Sequence, residues 1–163
     1  MCSTFYIKPA SSLDIEKLIN LRAFLLDDGF SNYASSNTED STAWKNSYRM
    51  WLQVLFANSF SKKIVFGAYN QDDLIGCSTG LIDERAPSTG SLNGLTGWIQ
   101  SVVVEPTWRR KGVGDKLIAF QLNWFRNNRV TKVFLQSTNN AISFYKKAGW
   151  QETGETLFYK QID

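Results

Sequence analysis

Trp98-Ile99-Gln100-Ser101-Val102-Val103-Val104, followed by Glu105-Pro106-Thr107-Trp108 and then Arg109-Arg110-Lys111-Gly112-Val113-Gly114-Asp115, is the stretch that decides the reading of this chain. The run from Trp98 to Val104 reads as a strand. It feeds a short basic loop containing two glycines, and the loop opens directly into a helix-periodic segment whose core face is read as Val113, Leu117, Phe120 and Trp124. The first backbone N–H groups of a helix have no intrahelical partner, and the helix dipole adds partial positive charge there. Such a terminus binds phosphate. Gly112 and Gly114 carry no Cβ, so a pyrophosphate can approach the backbone closely. Arg109, Arg110 and Lys111 add field and donors.

Other phosphate-binding loops do not match. Gly-x-x-x-x-Gly-Lys-Ser/Thr is absent, and a dinucleotide fingerprint would need glycine or alanine where Leu117 stands. What remains is Arg-x-x-Gly-x-Gly after a late strand. Downstream comes Asn139-Asn140-Ala141-Ile142-Ser143-Phe144-Tyr145-Lys146-Lys147-Ala148-Gly149-Trp150. It reads as a short amphipathic helix. Asn139 or Thr138 is its expected N-cap, Ala141, Phe144 and Ala148 fall at helical spacing, and Gly149 is its left-handed stop.

The first motif resembles the pyrophosphate loop of the GNAT superfamily of acyl-CoA-dependent N-acyltransferases. The second is similar to that family's Asn-x-x-Ala-x-x-Phe-Tyr-x-x-x-Gly-Phe segment, and the resemblance is specific from about Trp98 to Trp150. It implies an α/β (α+β) fold in one domain, 1–163. The central sheet would be mixed and mostly antiparallel, with splayed fourth and fifth strands and about four flanking helices. It also implies acetyl-CoA as co-substrate. The pantetheine arm would pair with the backbone of Val102, Val103 and Val104. Arg109, Arg110, Lys111, Gly112, Val113, Gly114 and Asp115 would wrap the pyrophosphate, and Asn139, Asn140 and Phe144 would flank the far side. Tyr145 occupies the position of the general acid that protonates the leaving thiolate, a role a phenol can fill.

The general base departs from the pattern. Many relatives carry a glutamate on the fourth strand, and here that position falls at Trp98. Gln100 could orient water; Asp83 and Glu84 are alternatives. The acceptor cleft, in such a fold, is shaped by the first two helices and by the loops after the third strand, which hold Asp27, Asp28, Tyr33, Glu39, Asp40, Asp83, Glu84 and Arg85. Acids there would attract a cationic amine.

Composition narrows the chemistry. A chain of 163 residues suits one domain with a sizeable core. It has no histidine, which removes histidine-assisted nucleophiles and the commonest metal ligand. Two cysteines, Cys2 and Cys77, cannot make a four-ligand zinc site and read as free thiols, so no metal is expected. A net charge of +3 without a basic tract gives little support to nucleic-acid binding. No apolar run has the length of a membrane span, and the N-terminal residues lack a signal pattern, so a cytoplasmic protein is expected. The reading is therefore an N-acetyltransferase acting on a small-molecule or peptide amine, with a lean toward a homodimer. A non-catalytic acyl-CoA sensor of the same fold ranks second and a nucleic-acid binder third.

The element order read from punctuation is β-α-α-β-β-β-α-β-α-β. It runs as a strand at Phe5 to Lys8, a helix opened by a capping box at Ser11 and Asp14 and ending near Gly29, and a helix from Ser41 to about Phe60. A hairpin follows at Ile64 to Tyr69 and Leu74 to Ile82, then a loop over residues 86–97. Strands at Trp98 to Val104 and Val133 to Leu135 flank the third helix. A final strand at Thr156 to Gln161 is expected to close the sheet.

Overall fold

A computed structural model describes residues 4–27, 34–58 and 62–162. Five strands form one sheet in sequence order: β1 (Tyr6–Pro9), β2 (Lys63–Asn70), β3 (Asp73–Glu84), β4 (Leu95–Val104) and β5 (Lys132–Leu135). The first three pairings are antiparallel and β4–β5 is parallel. Helices α1 (Ile15–Leu26) and α2 (Thr38–Ala57) cover one face; α3 (Val113–Asn127) and the short α4 (Ile142–Lys147) serve the other. This is the mixed α/β architecture expected from the sequence.

The local signals explain most element ends. Ser11 and Asp14 form the reciprocal capping box, with the Ser11 N–H donating to Asp14 at 2.8 Å. Asn37 caps α2 by accepting from the Asp40 N–H at 2.8 Å. That cap starts the helix at Thr38, earlier than the Ser41 expected from the aromatic stripe alone. β4 likewise begins at Leu95, because Thr96 and Gly97 pair with both neighbouring strands. Gly29 and Phe60, the expected helix ends, lie outside the described residues, as do Asp28, Tyr33 and Cys2.

Core packing is led by Leu18 and Leu52 beneath α1 and α2, and by Leu117 and Phe125 beneath α3. Full burial of such a side chain contributes ~1.5–3 kcal/mol. One expectation for α3 needs correction, while Trp124 packs against two core clusters as expected. Phe120 is 42% exposed and packs edge-to-face with Phe66, with ring centres 5.8 Å apart. The i, i+4 stripe instead runs Val113, Leu117, Gln121 and Phe125, all buried. A glutamine fits because its Nε2 donates to both the carbonyl and the hydroxyl of Ser78 at 3.0 Å. Gly80 makes the room, since a methyl group there would lie 2.2 Å from Gln121 Oε1.

The expected last strand is absent. Thr156 to Gln161 pairs with nothing in the sheet, and Leu157, Phe158 and Tyr159 are exposed. Three consecutive large apolar residues do not alternate, so a strand built from them would expose apolar side chains on both faces. Trp150 does not start a strand either; it packs edge-on against Tyr145.

Asp27 fastens the end of α1 to α2. Its carboxylate pairs with Lys45 at 2.8 Å and accepts from Trp44 Nε1, Ser35 and Ser41 at 2.9 Å each. Partial burial opposes ionisation, yet these donors outweigh it and hold the carboxyl well below the usual carboxylate range. A depressed folded-state pKa gives stability that is present above the unfolded value near 4 and lost as pH falls below it. Asp27→Asn is therefore expected to lower the thermal midpoint at pH 7 by about 2–4 °C, from ~1 kcal/mol for a partly exposed network. Melts repeated toward pH 3 should show the gap to the parent protein closing; a gap independent of pH contradicts the assignment.

Candidate functional site

The centre of the sheet is where the backbone departs from regular pairing. β5 registers with β4 only from Thr96 to Ile99. Beyond that point the strands part, and Gln100 to Val104 have no strand on their β5 side. On the β3 side, Thr79 pairs with Ser101 and Gly80 with Ile99, so Gln100 is the extra residue of a β-bulge. The bulge reverses the side-chain alternation. Ile99 and Val102 pack under α3, whereas Trp98 and Ser101 line the opposite side. Val103 is buried and Val104 half-buried, so their side chains serve the core while the β5-facing backbone edge stays open to another partner.

That open edge leads to the α3 N-terminus. Arg109 follows a short turn at Pro106–Trp108, and its Nε donates to the Val104 carbonyl at 3.1 Å. Lys111 Nζ sits 5.0 Å from the centre of the Trp108 ring. Arg110 and Gly112 both have positive φ, 62° and 79°. The double left-handed turn swings the loop so that Val113, Gly114 and Asp115 begin the helix with their N–H groups facing outward. Gly112 has open space where a Cβ would point, with nothing within 4 Å. This shape and charge match what a pyrophosphate needs.

The two sequence motifs meet here. A methyl group on Gly114 would lie 3.4 Å from Phe144 Cζ, an ordinary contact, so the glycine loop and the Phe144 ring are neighbours across the strand gap. Asn139 and Asn140 form the exposed one-turn helix before α4. Thr138 takes the N-cap position there, but neither it nor Asn139 supplies a side-chain cap bond. Gly149, at φ 85°, ends α4 as expected: Trp150 N–H donates to Tyr145 O and Gly149 N–H to Lys146 O, both at 3.1 Å. Tyr145 is half-buried between Phe144 and Trp150, at ring-centre distances of 5.1 and 6.1 Å, and packs on the cluster that contains Ile99.

On the other side of the bulge lies a cleft of about 520 Å³, lined by Arg22, Leu26, Leu81, Gln136 and the segment Trp98 to Ser101. The volume suits a small molecule. Trp98 stands at the expected base position, and an indole accepts no proton because its nitrogen is a donor only. Its ring stacks on Phe134 at 5.3 Å and lies 5.3 Å from the Arg85 guanidinium. The candidate carboxylates are already engaged: Asp83 with Arg85 at 2.8 Å, and Glu84 with Lys62. Glu105 is half-buried beside Trp108 in a separate hollow. No carboxylate lines the main cleft among the described residues.

Arg22, Ser101 and Gln136 were missed by sequence reasoning. A signal for Arg22 existed: it interrupts a leucine-rich stripe formed by Leu18, Leu21, Leu25 and Leu26. Cys77 is a buried free thiol. Among the described residues, no group of three or more His, Cys, Asp and Glu could hold a metal, and no helix is long and apolar enough to cross a membrane.

A parted parallel strand pair, a helix N-terminus at the end of the gap and a cleft at the bulge are the arrangement that the resemblance to acyl-CoA-dependent transferases led us to expect. The sequence model of the GNAT acetyltransferase family matches residues 26–150, and the chain belongs to that family. Solved structures agree in fold. A GCN5-related N-acetyltransferase from Ralstonia eutropha superposes with a TM-score of 0.81 at 18% identity, covering 98% of this chain and 99% of that one. A predicted acetyltransferase from Clostridium acetobutylicum, solved with acetyl-CoA, gives 0.79 at 21% identity with 96% of each chain covered. Glucosamine-6-phosphate N-acetyltransferase from Arabidopsis thaliana gives 0.70 at 20% identity, covering 98% and 99%. Membership assigns the general activity, acetyl transfer.

Proposed function

We propose that this protein is an N-acetyltransferase that moves the acetyl group of acetyl-CoA directly to a primary amine while both substrates are bound. The observation that carries the reading is the unpaired β4 edge at Gln100 to Val104, which runs into the α3 N-terminus and lies beside the cleft. In this reading Val102, Val103 and Val104 pair with the pantetheine amides. Arg109, Arg110 and Lys111, with the N–H groups of Val113, Gly114 and Asp115, bind the pyrophosphate. Phe144, Asn139 and Asn140 close the far side. The contact of Phe144 with the Gly114 position supports that arrangement.

The chemistry is attack of a neutral amine on a thioester carbonyl and loss of a thiolate. A backbone N–H on the open β4 edge stabilises the charge that develops on the carbonyl oxygen. Tyr145 gives its proton to the departing sulfur, and the proton shed by the attacking nitrogen passes through water and restores the Tyr145 phenol. With an indole in the base position, Gln100 and Ser101 are the polar side chains of β4 that line the cleft beside the attacking amine. Gln100 orients water or the amine rather than removing its proton.

Thermal unfolding with acetyl-CoA, paired with CoA release across a panel of amines, tests the proposal. Saturating acetyl-CoA at about a hundred times its dissociation constant adds ~2.7 kcal/mol, or roughly 5–10 °C for a chain of this size. Stabilisation together with amine-dependent CoA release supports the enzyme. Stabilisation without transfer to any amine supports a sensor, and no stabilisation overturns both.

A further inference from the structure

Arg22 is the one charged side chain on the wall of the main cleft among the described residues. Its guanidinium lies 4.5 Å over the Tyr48 ring, and its Nε is buried without a hydrogen-bond partner. A ring face attracts a cation but supplies no counter-charge. Burial pushes the Tyr48 phenol up to about 12 and the Cys77 thiol up to about 12, so both neighbours are neutral at physiological pH. None of the ion pairs among the described residues includes Arg22. Asp27, the nearby acid at the end of α1, is consumed by Lys45, Trp44, Ser35 and Ser41.

An unmatched buried donor on a cation is costly, and a ligand that brings an anionic oxygen recovers that cost. A second orphan lines the same cleft: the Ser101 hydroxyl is buried and has no partner. Both groups can donate, and the planar guanidinium fork matches the two oxygens of a carboxylate. The cleft thus presents positive charge and donors, the reverse of the acid-lined acceptor site expected from the sequence.

We propose that the acceptor is a small primary amine that also carries a carboxylate, held by Arg22 with Ser101 as the second donor. This inference rests on the acetyl-transfer reading and specifies its substrate class. Repulsion from Arg22 disfavours polycationic acceptors. The β4 bulge places Ser101 one residue from Gln100, so the anchored end and the reacting end of the substrate are set by adjacent residues of one strand.

The test uses matched amines that differ in the anion: phenylalanine against phenethylamine, and phosphoethanolamine against ethanolamine. CoA release should favour phenylalanine over phenethylamine at least tenfold in kcat/KM. That ratio should fall at least tenfold in Arg22→Gln and partly recover in Arg22→Lys. A larger preference for phosphoethanolamine over ethanolamine than for phenylalanine over phenethylamine would replace carboxylate by phosphate and overturn the proposal as stated. Acetyl-CoA stabilisation of each variant reports whether the fold and cofactor region survive. Equal rates within the phenylalanine pair, or a ratio unchanged by Arg22→Gln, overturns the proposal while leaving acetyl transfer intact. Calorimetric titration with each amine in the presence of CoA separates the remaining cases. Arg22-dependent binding of phenylalanine without CoA release keeps the recognition and removes the transfer, whereas no binding and no release overturns the recognition as well.

Discussion

Gly112→Asp is expected to abolish stabilisation by acetyl-CoA while leaving the unliganded protein folded. The φ of 79° at this position is strained for most side chains, but aspartate tolerates the left-handed region better than most. Apart from its chain neighbours, no atom lies within 4 Å of the new Cβ, so the side chain starts into open space. A carboxylate at the α3 N-terminus also interacts favourably with the helix dipole, which offsets part of the strain. The unliganded midpoint should therefore move by only a few degrees. The new side chain occupies the space offered to a pyrophosphate and sets like charge against it. A parent shift of roughly 5–10 °C with acetyl-CoA should fall to about zero. An undiminished shift in Gly112→Asp would move the cofactor away from this loop.

Tyr145→Phe should lower turnover by about a hundredfold, the lower end of what a positioned general acid contributes. The phenyl ring keeps the edge contacts with Phe144 and Trp150, at 5.1 and 6.1 Å, so neither α4 nor the fold should suffer. Acetyl-CoA should stabilise the variant as it does the parent. Steady-state CoA release and a paired melt measure the two effects separately. Full turnover in Tyr145→Phe would show that the hydroxyl is not the acid. Equal losses of turnover and of stabilisation would assign Tyr145 to cofactor binding instead.

The glycine loop and the α4 segment were legible because their signals are local. The basic run, Gly112 and Gly114 are contiguous, and the phosphate-binding character of a helix N-terminus depends only on the backbone that those residues permit. The Asn139 to Trp150 segment carried its own stop at Gly149. The acceptor side was less legible. Acids in the right neighbourhood suggested a cationic substrate, yet Asp27, Asp83 and Glu84 are each held by a donor or cation from elsewhere in the chain. Arg22 was overlooked within a leucine-rich helix.

By itself the sequence determined the order of the main elements, the family and the basic glycine loop that opens α3, since propensity, periodicity and glycine conformation act over a few residues. Only the tertiary structure decided that Gln121 belongs in the core, that Gln100 bulges and reverses the faces of β4, and that the tail after Trp150 adds no strand. It alone joined Arg22 of α1 to Trp98 and Ser101 of β4 around one cleft. Charge compensation and burial are relations between residues far apart in the chain, and a carboxylate or guanidinium acquires its role from the partners that folding brings to it or withholds.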